Sequence, residues 1–300
     1  MNAKSLTFHY LILAAAVFYG LITVGGKYFA DLGFSLYEIA LLISFSALTL
    51  IPVLLFNKKF RIRKAHLAFF IVFGLIGALL QLSQFAGIVL GVPVAVVALL
   101  LYTQPVWTTL LGRWLLEERI TLKKLFVVPL AVVGILILVS PFQGPLRPDG
   151  LGLLAALCAG IFLALWVIWG RSSGLRDQHF VTTTFGYSFF SALWLLVFYP
   201  VVHTVIAEVQ ISRLSFENYL EHWPGVAGYT LLAGLTPACL AFAGMKRVET
   251  STAGILLLFE PVSAAALAYW LFGQPLTANV WFGGGVILLA NYLLLKGASA

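Results

Sequence analysis

Residues 101–110 read LYTQPVWTTL and residues 257–266 read LLFEPVSAAA. At an offset of 156 residues Pro105 falls on Pro261 and Gln104 on Glu260. The register holds downstream, where Trp114 meets Trp270, Leu115 meets Leu271 and Thr121 meets Thr277 before both copies enter another apolar run. A weaker pairing upstream sets Gly20 on Gly160 and Phe45-Ser46-Ala47-Leu48 on Phe190-Ser191-Ala192-Leu193. Single apolar matches are cheap in so hydrophobic a chain, but a shared proline with a shared downstream register marks an internal repeat.

The chain around these strings has 300 residues, 61% hydrophobic and 10% charged. Its mean hydropathy is +1.02, whereas soluble domains carry about 25% charged residues. Runs of about 20 apolar residues alternate with short clusters of Lys, Arg, Asp, Gly and Pro, the rhythm of membrane spans. Hydropathy places helices near 8–30, 34–56, 66–90, 94–116, 123–141, 150–170, 180–203, 225–246, 250–272 and 276–295. The predicted fold is an all-α polytopic membrane protein with ten transmembrane helices in two five-helix repeats. The repeats cover 1–141 and 150–300, joined by an outer linker at 142–149. The first apolar run is too long for a signal-peptide core and is expected to stay. Cys158 and Cys239 sit inside apolar runs and read as small packing residues, so neither a disulfide framework nor a cysteine-based metal site is suggested, and no metal or cofactor is expected.

With the N-terminus in the cytoplasm, the inner connections hold 15 of the 18 basic residues, leaving Lys27, Arg147 and Arg213 on or near the outer side. That asymmetry orients the chain with both termini cytoplasmic. It also accounts for the net charge of +7, so no nucleic-acid partner is expected. The longest outer connection, about 203–224, carries Phe216, Tyr219, Leu220 and Trp223 at helical spacing behind Ser215 as a cap. It reads either as a short helix on the outer membrane surface or as an ordered loop with an aromatic anchor.

A repeat of five spans, an odd number, must enter the membrane in opposite senses. Inverted repeats are the architecture through which many secondary transporters rock a central site between two faces, although channels and membrane enzymes also contain repeats.

These residues resemble the drug/metabolite transporter superfamily, specifically its ten-helix EamA-type permeases, over essentially the whole chain. AAAVFYGLITVGGK at 14–27 is similar to the family's first-helix pattern, with Tyr19 where Trp is usual. The family's proline followed thirteen residues later by Glu is met by Pro105 and Glu118, whereas Pro261 leads to Gln274. The Arg often seen in the second helix is missing from Ile39 to Leu50. The resemblance implies two five-helix units and export of amino acids, related metabolites or drugs across a bacterial inner membrane. Lipid or lipid-linked-sugar flippases, also found in the superfamily, are the alternative.

Both prolines fall near the bilayer midplane. A proline inside a helix removes a backbone donor and clashes with the carbonyl four residues earlier, so kinks are expected at Pro105 and Pro261, mechanical or lining a solute path. Glu260 is the only carboxylate deep within a span. An ionised carboxylate there costs at least about 2.5–3.5 kcal/mol, so it should face a cavity, meet a cation or carry a proton. A neutral Glu bonded between helices is the bland reading; binding of a solute amine or proton coupling is the functional one. Gln104 is its repeat mate. Tyr102, Thr103 and Trp107 around Pro105, Tyr19 and Thr23 on the first helix, and Gln81 and Gln84 on the third are further lining candidates. Tyr187 and Trp166 are weaker ones. Lys27 and Glu38, near the outer ends of the first two helices, either anchor those ends by snorkelling or form a gate.

The five histidines fall in loops or at span ends, and no HExxH, GxSxG or phosphate-cradling loop occurs, which argues against an enzyme. A channel would need rings of polar groups that one midplane Glu does not supply. The expected partners are a small-molecule solute, a proton as candidate coupling ion and the lipid bilayer, with monomer or homodimer left open.

Overall fold

The computed structural model describes residues 3–139, 150–206 and 209–296; the linker expected at 142–149, with Arg147, lies outside the described residues. Ten helical segments are long and apolar enough to cross a membrane. Spans 1 to 5 are Leu6–Asp31, Leu36–Phe56, Lys58–Val89, Val94–Leu115 and Leu122–Val139. Spans 6 to 10 are Gly150–Leu175, Phe180–Val205, Trp223–Met245, Thr250–Phe272 and Ala278–Lys296. All lie close to the windows read from hydropathy, and no strand occurs among the described residues. The chain is an all-helical integral membrane protein. One face carries the basic span ends and the turns beside them, such as 58–66 and 171–177; the other is called the opposite face below.

The two halves interlock reciprocally. Span 1 packs on spans 8 and 9, the third and fourth of the other half, and span 6 packs on spans 3 and 4. A small residue makes each crossing possible. A Cβ on Gly160 would lie 2.5 Å from the Leu100 carbonyl oxygen, and one on Gly20 would lie 2.8 Å from the Ala264 backbone nitrogen. The weakly paired glycines of the sequence therefore do the same job in each repeat. The mates Trp114 and Trp270 sit at span ends on opposite faces with nearly equal exposure, 83% and 81%, as interfacial anchors.

Spans 5 and 10 pair with each other across the repeats. A Cβ on Gly283 would stand 2.4 Å from the Leu138 nitrogen and 2.6 Å from the Gly134 carbonyl oxygen. Those are backbone atoms of a packed helix and cannot turn aside. Gly283→Ala should therefore cost about 1–3 kcal/mol through overpacking. It should lower the melting temperature in detergent; an unchanged melt would mean that these helices are not in close contact.

Span 4 consists of Val94–Leu101 and Gln104–Leu115, and span 9 of Thr250–Leu257 and Phe259–Phe272. The expected kinks are thus breaks, and each comes before its proline. A ring that cannot donate an N–H fits the first turn of a helix, so Pro105 and Pro261 start the second halves. Two further irregularities occur, one of them again just ahead of a proline, Pro237 in the first turn of Thr236–Met245. Span 2 breaks at Phe45, between Leu36–Ser44 and Ser46–Phe56. Span 8 contains a π-helical turn, Thr230–Leu235. These two face each other: the Thr230 hydroxyl donates to the Leu42 carbonyl at 3.1 Å, and a Cβ on Gly234 would meet the Ile43 carbonyl oxygen at 2.8 Å. The wide turn presents a hydroxyl and a bare backbone to carbonyls at the break.

The connection after span 7 forms short helices at Val209–Ser212 and Phe216–Glu221, with Ser215 at the N-cap position but no side-chain capping bond. Tyr219 turns into the protein, its ring 5.4 Å from that of Phe34, while Leu220 and Trp223 are exposed. The short helix is therefore pinned to the bundle on its Tyr219 side.

Candidate functional site

The breaks in spans 4 and 9 meet near the middle of the bundle. Glu260 is the second residue of Phe259–Phe272, half-buried, and its Oε1 accepts from the Tyr102 hydroxyl at 3.4 Å. A carboxylate in the first turn of a half-helix also meets the favourable end of the helix dipole. The Ser263 hydroxyl, one turn on, lies 2.8 Å from the Glu260 carbonyl oxygen and 3.0 Å from that of Ala16, which ties span 9 to span 1.

That tie sets Tyr19 at the level of Glu260, because its neighbour Gly20 rests on Ser263 and Ala264. From Tyr19 an aromatic wall runs through spans 6, 7, 8 and 3. The Tyr19 and Trp166 rings are 6.0 Å apart edge to face; Trp166 lies 6.0 Å from Tyr187 and 5.2 Å from Phe242. Phe73 closes the group, 4.9 Å from Tyr187 and 5.6 Å from Phe242. Trp166 and Tyr187, weak candidates by sequence, are thus central. Phe73 and Phe242 were not singled out, since an aromatic within an apolar run looks like packing until its neighbours are known.

Gln104 goes elsewhere. It is only 1% exposed, and a Cβ on Gly254 of span 9 would stand 2.7 Å from its Nε2, which has no hydrogen-bond partner among the described residues. The repeat mates therefore differ in setting as well as charge: Gln104 is packed against span 9, while Glu260 remains partly open. Trp107 donates from Nε1 to Thr103 Oγ1 at 3.2 Å. Among the described residues, no hydrogen bond or ring contact joins Trp107, Gln84 or Thr23 to Glu260.

Tyr19, Thr23, Lys27 and Asp31 recur every four residues and so share one side of span 1. Exposure rises along this stripe from the half-buried Tyr19 to the exposed Thr23, Lys27 and Asp31. Lys27 pairs with Asp31 at 2.7 Å, and its ammonium lies 5.9 Å from the Phe272 ring centroid. An exposed pair of this kind adds at most about 0.5 kcal/mol.

Glu38 does not snorkel. It is wholly buried, its Oε2 accepts the Ser35 N–H at 2.8 Å, and its own N–H donates to Ser35 Oγ at 3.1 Å. This is a capping box at the start of span 2, legible in Ser35-Leu36-Tyr37-Glu38. Oε1 accepts the Ser215 N–H, and the Glu38 carbonyl accepts the Tyr219 hydroxyl at 3.2 Å. Burial first, and the Glu38 charge second, push the Tyr219 phenol well above its ordinary range, so it stays a donor. Glu38→Ala should cost about 1–3 kcal/mol, since the N–H groups of the buried Ser35 and the half-buried Ser215 lose their acceptor. A thermal melt should register the loss, and a stability equal to wild type would contradict it.

The two faces are closed differently. On the basic face Glu118, beyond the end of span 4, caps the start of span 9: the Thr250 N–H lies 2.9 Å from both carboxylate oxygens, and its hydroxyl donates to Oε2 at 2.7 Å. Lys124 forms an ion pair with the neighbouring Glu249, and Arg171 donates to the carbonyls of Met245 and Lys246. On the opposite face the repeat mates of Glu118 and Thr250 are Gln274 and Val94. Both are exposed, and no side-chain bond joins them among the described residues.

A lateral groove of about 390 Å³ opens between spans 3 and 6, lined by apolar groups that include Leu82, Ala86, Leu154, Cys158 and Phe162. Among the described residues no cluster of His, Cys, Asp and Glu is arranged to hold a metal.

Residues 6–140 and again 150–296 match the EamA-like transporter family. An "uncharacterized transporter" of Clostridium kluyveri is 22% identical over 295 residues, covering 94% of this chain and 91% of its own. Another, from Archaeoglobus fulgidus, is 25% identical over 209 residues, 70% of each chain. The threonine/homoserine exporter RhtA of Escherichia coli K12 is 28% identical over 167 residues, 55% of this chain and 52% of its own. A solved crystal structure shares the fold with a TM-score of 0.74, covering 100% of this chain and 99% of that one at 16% identity.

Proposed function

The chain belongs to the EamA-like transporter family, and from that premise we propose a secondary carrier that exports a small metabolite or drug by alternating access around Glu260. The observation that carries this reading is the unequal closure of two equivalent ends. Glu118 clasps span 4 to span 9 on the basic face, while Gln274 leaves the same joint open on the other. Inverted repeats can exchange these arrangements, so a clasp present on one face and missing from the other is what one half of a transport cycle requires. The rising exposure from Tyr19 to Asp31 fits a vestibule leading from the site to the unclasped face.

The basic face is cytoplasmic in this reading, with both termini inside and the chain in a bacterial inner membrane. The partial likeness to a threonine/homoserine exporter supports export of amino-acid-sized solutes. Glu260 is the group in the site able to take up and release a proton, which makes a proton the coupling ion of the proposal. Counterflow in proteoliposomes tests the carrier: labelled solute should enter faster when unlabelled solute is trapped inside. Flux indifferent to trans solute would point to a channel. A flippase is the second reading, favoured by the apolar groove open toward lipid between spans 3 and 6; scrambling of labelled phospholipid without solute counterflow would select it.

A further inference from the structure

We infer that the solute is an organic cation, an amine with an apolar or aromatic body and no carboxylate of its own, held between Glu260 and the aromatic wall of Tyr19, Trp166 and Tyr187. The inference rests on the transporter reading and narrows its substrate. Among the described acidic residues, Glu260 alone stands in mid-span. Every described Lys and Arg lies in a connection or in the terminal turns of a span. Lys27 is exposed and paired with Asp31, Lys124 with Glu249, and Arg171 is bound to carbonyls at the basic face. A solute anion beside Glu260 would therefore find no cation to balance it and would sit against a like charge in a region of low dielectric. The carboxylate group of an amino acid meets the same obstacle.

A cation meets the reverse. Among the described residues Glu260 has one weak side-chain partner, the Tyr102 hydroxyl at 3.4 Å, and it is not sealed off. Aromatic faces attract cations through the ring quadrupole, and that attraction grows where water is excluded. The aromatic wall starts at Tyr19, whose neighbour Gly20 rests on Ser263 and Ala264, one turn from Glu260. A site with one negative group, aromatic surfaces and no positive group selects by charge first and by apolar bulk second.

Calorimetric titration of the full chain in detergent with phenethylamine, phenylalanine, phenylacetate and 2-phenylethanol varies charge on one ring. The amine should bind at least tenfold tighter than phenylalanine and than the neutral alcohol, with phenylacetate weakest. Glu260→Gln should bring the amine to the level of the alcohol. Equal or tighter binding of phenylalanine or phenylacetate, no saturable binding of the amine, or an amine preference that survives in Glu260→Gln would overturn the inference. The charge order in the wild type stands even where the variant fails to fold. Failure of the transporter reading looks different: the amine binds in the expected order, yet no solute shows counterflow in liposomes.

Discussion

Glu260→Gln abolishes flux driven by a pH gradient while leaving a folded protein: this is the expected result in proteoliposomes. The amide keeps the shape and can still accept from Tyr102, whose hydroxyl reaches Oε1 at 3.4 Å, but it can neither carry a proton nor balance a charge. Removing one partner of a desolvated charge pair costs about 2–5 kcal/mol, so driven flux should fall by at least about 30-fold. The melting temperature should hold or rise, because an ionised carboxylate at this depth costs about 2.5–3.5 kcal/mol that an amide does not. Unchanged dependence on the pH gradient would remove Glu260 from coupling.

Glu118→Ala acts at a distance from the site and should shift the conformational balance. Its carboxylate receives the N–H and hydroxyl of Thr250, which are left without that acceptor when it is removed. A hydrogen bond to a charged group is worth about 1.5–3 kcal/mol, so the clasped population should drop about 10- to 100-fold relative to the unclasped one. Thr23→Cys on the exposed stripe of span 1 reports the change through an impermeant maleimide added on the opposite face. Labelling should slow markedly in the Glu118→Ala background and less in Glu118→Gln, where an amide oxygen still accepts. Equal labelling in all three backgrounds would mean that the joint is a static cap.

The fold was legible in the sequence because spans, repeats and prolines leave local marks. Apolar runs set the ten spans, and the shared register around Pro105 and Pro261 located both breaks to within a few residues. Pairwise geometry was not legible. Gln104 and Glu260 align in sequence, yet one packs on Gly254 and the other faces Tyr102, because that choice depends on which residues the other repeat presents. The break at Phe45 and the π turn at Thr230–Leu235 answer each other across the bundle; Pro237 marks the second, as Pro105 and Pro261 mark theirs, while the first carries no proline at its restart. Glu38 could have been read correctly: Ser35 three residues earlier is a capping-box signature, and depth near a span end outweighed it. Glu118 stood out as a motif residue, but its partner Thr250 lies 132 positions away in the chain.

Alternation itself is tested by spin-label distances on the full chain in lipid nanodiscs. One pair sits at Val94 and Gln274 on the opposite face and one at Arg119 and Arg247 on the basic face, all exposed positions. With added phenethylamine and with changing pH, the account predicts two distance populations for each pair, the first shortening as the second lengthens. Distances that stay fixed at both faces, or that move in the same direction, would contradict it.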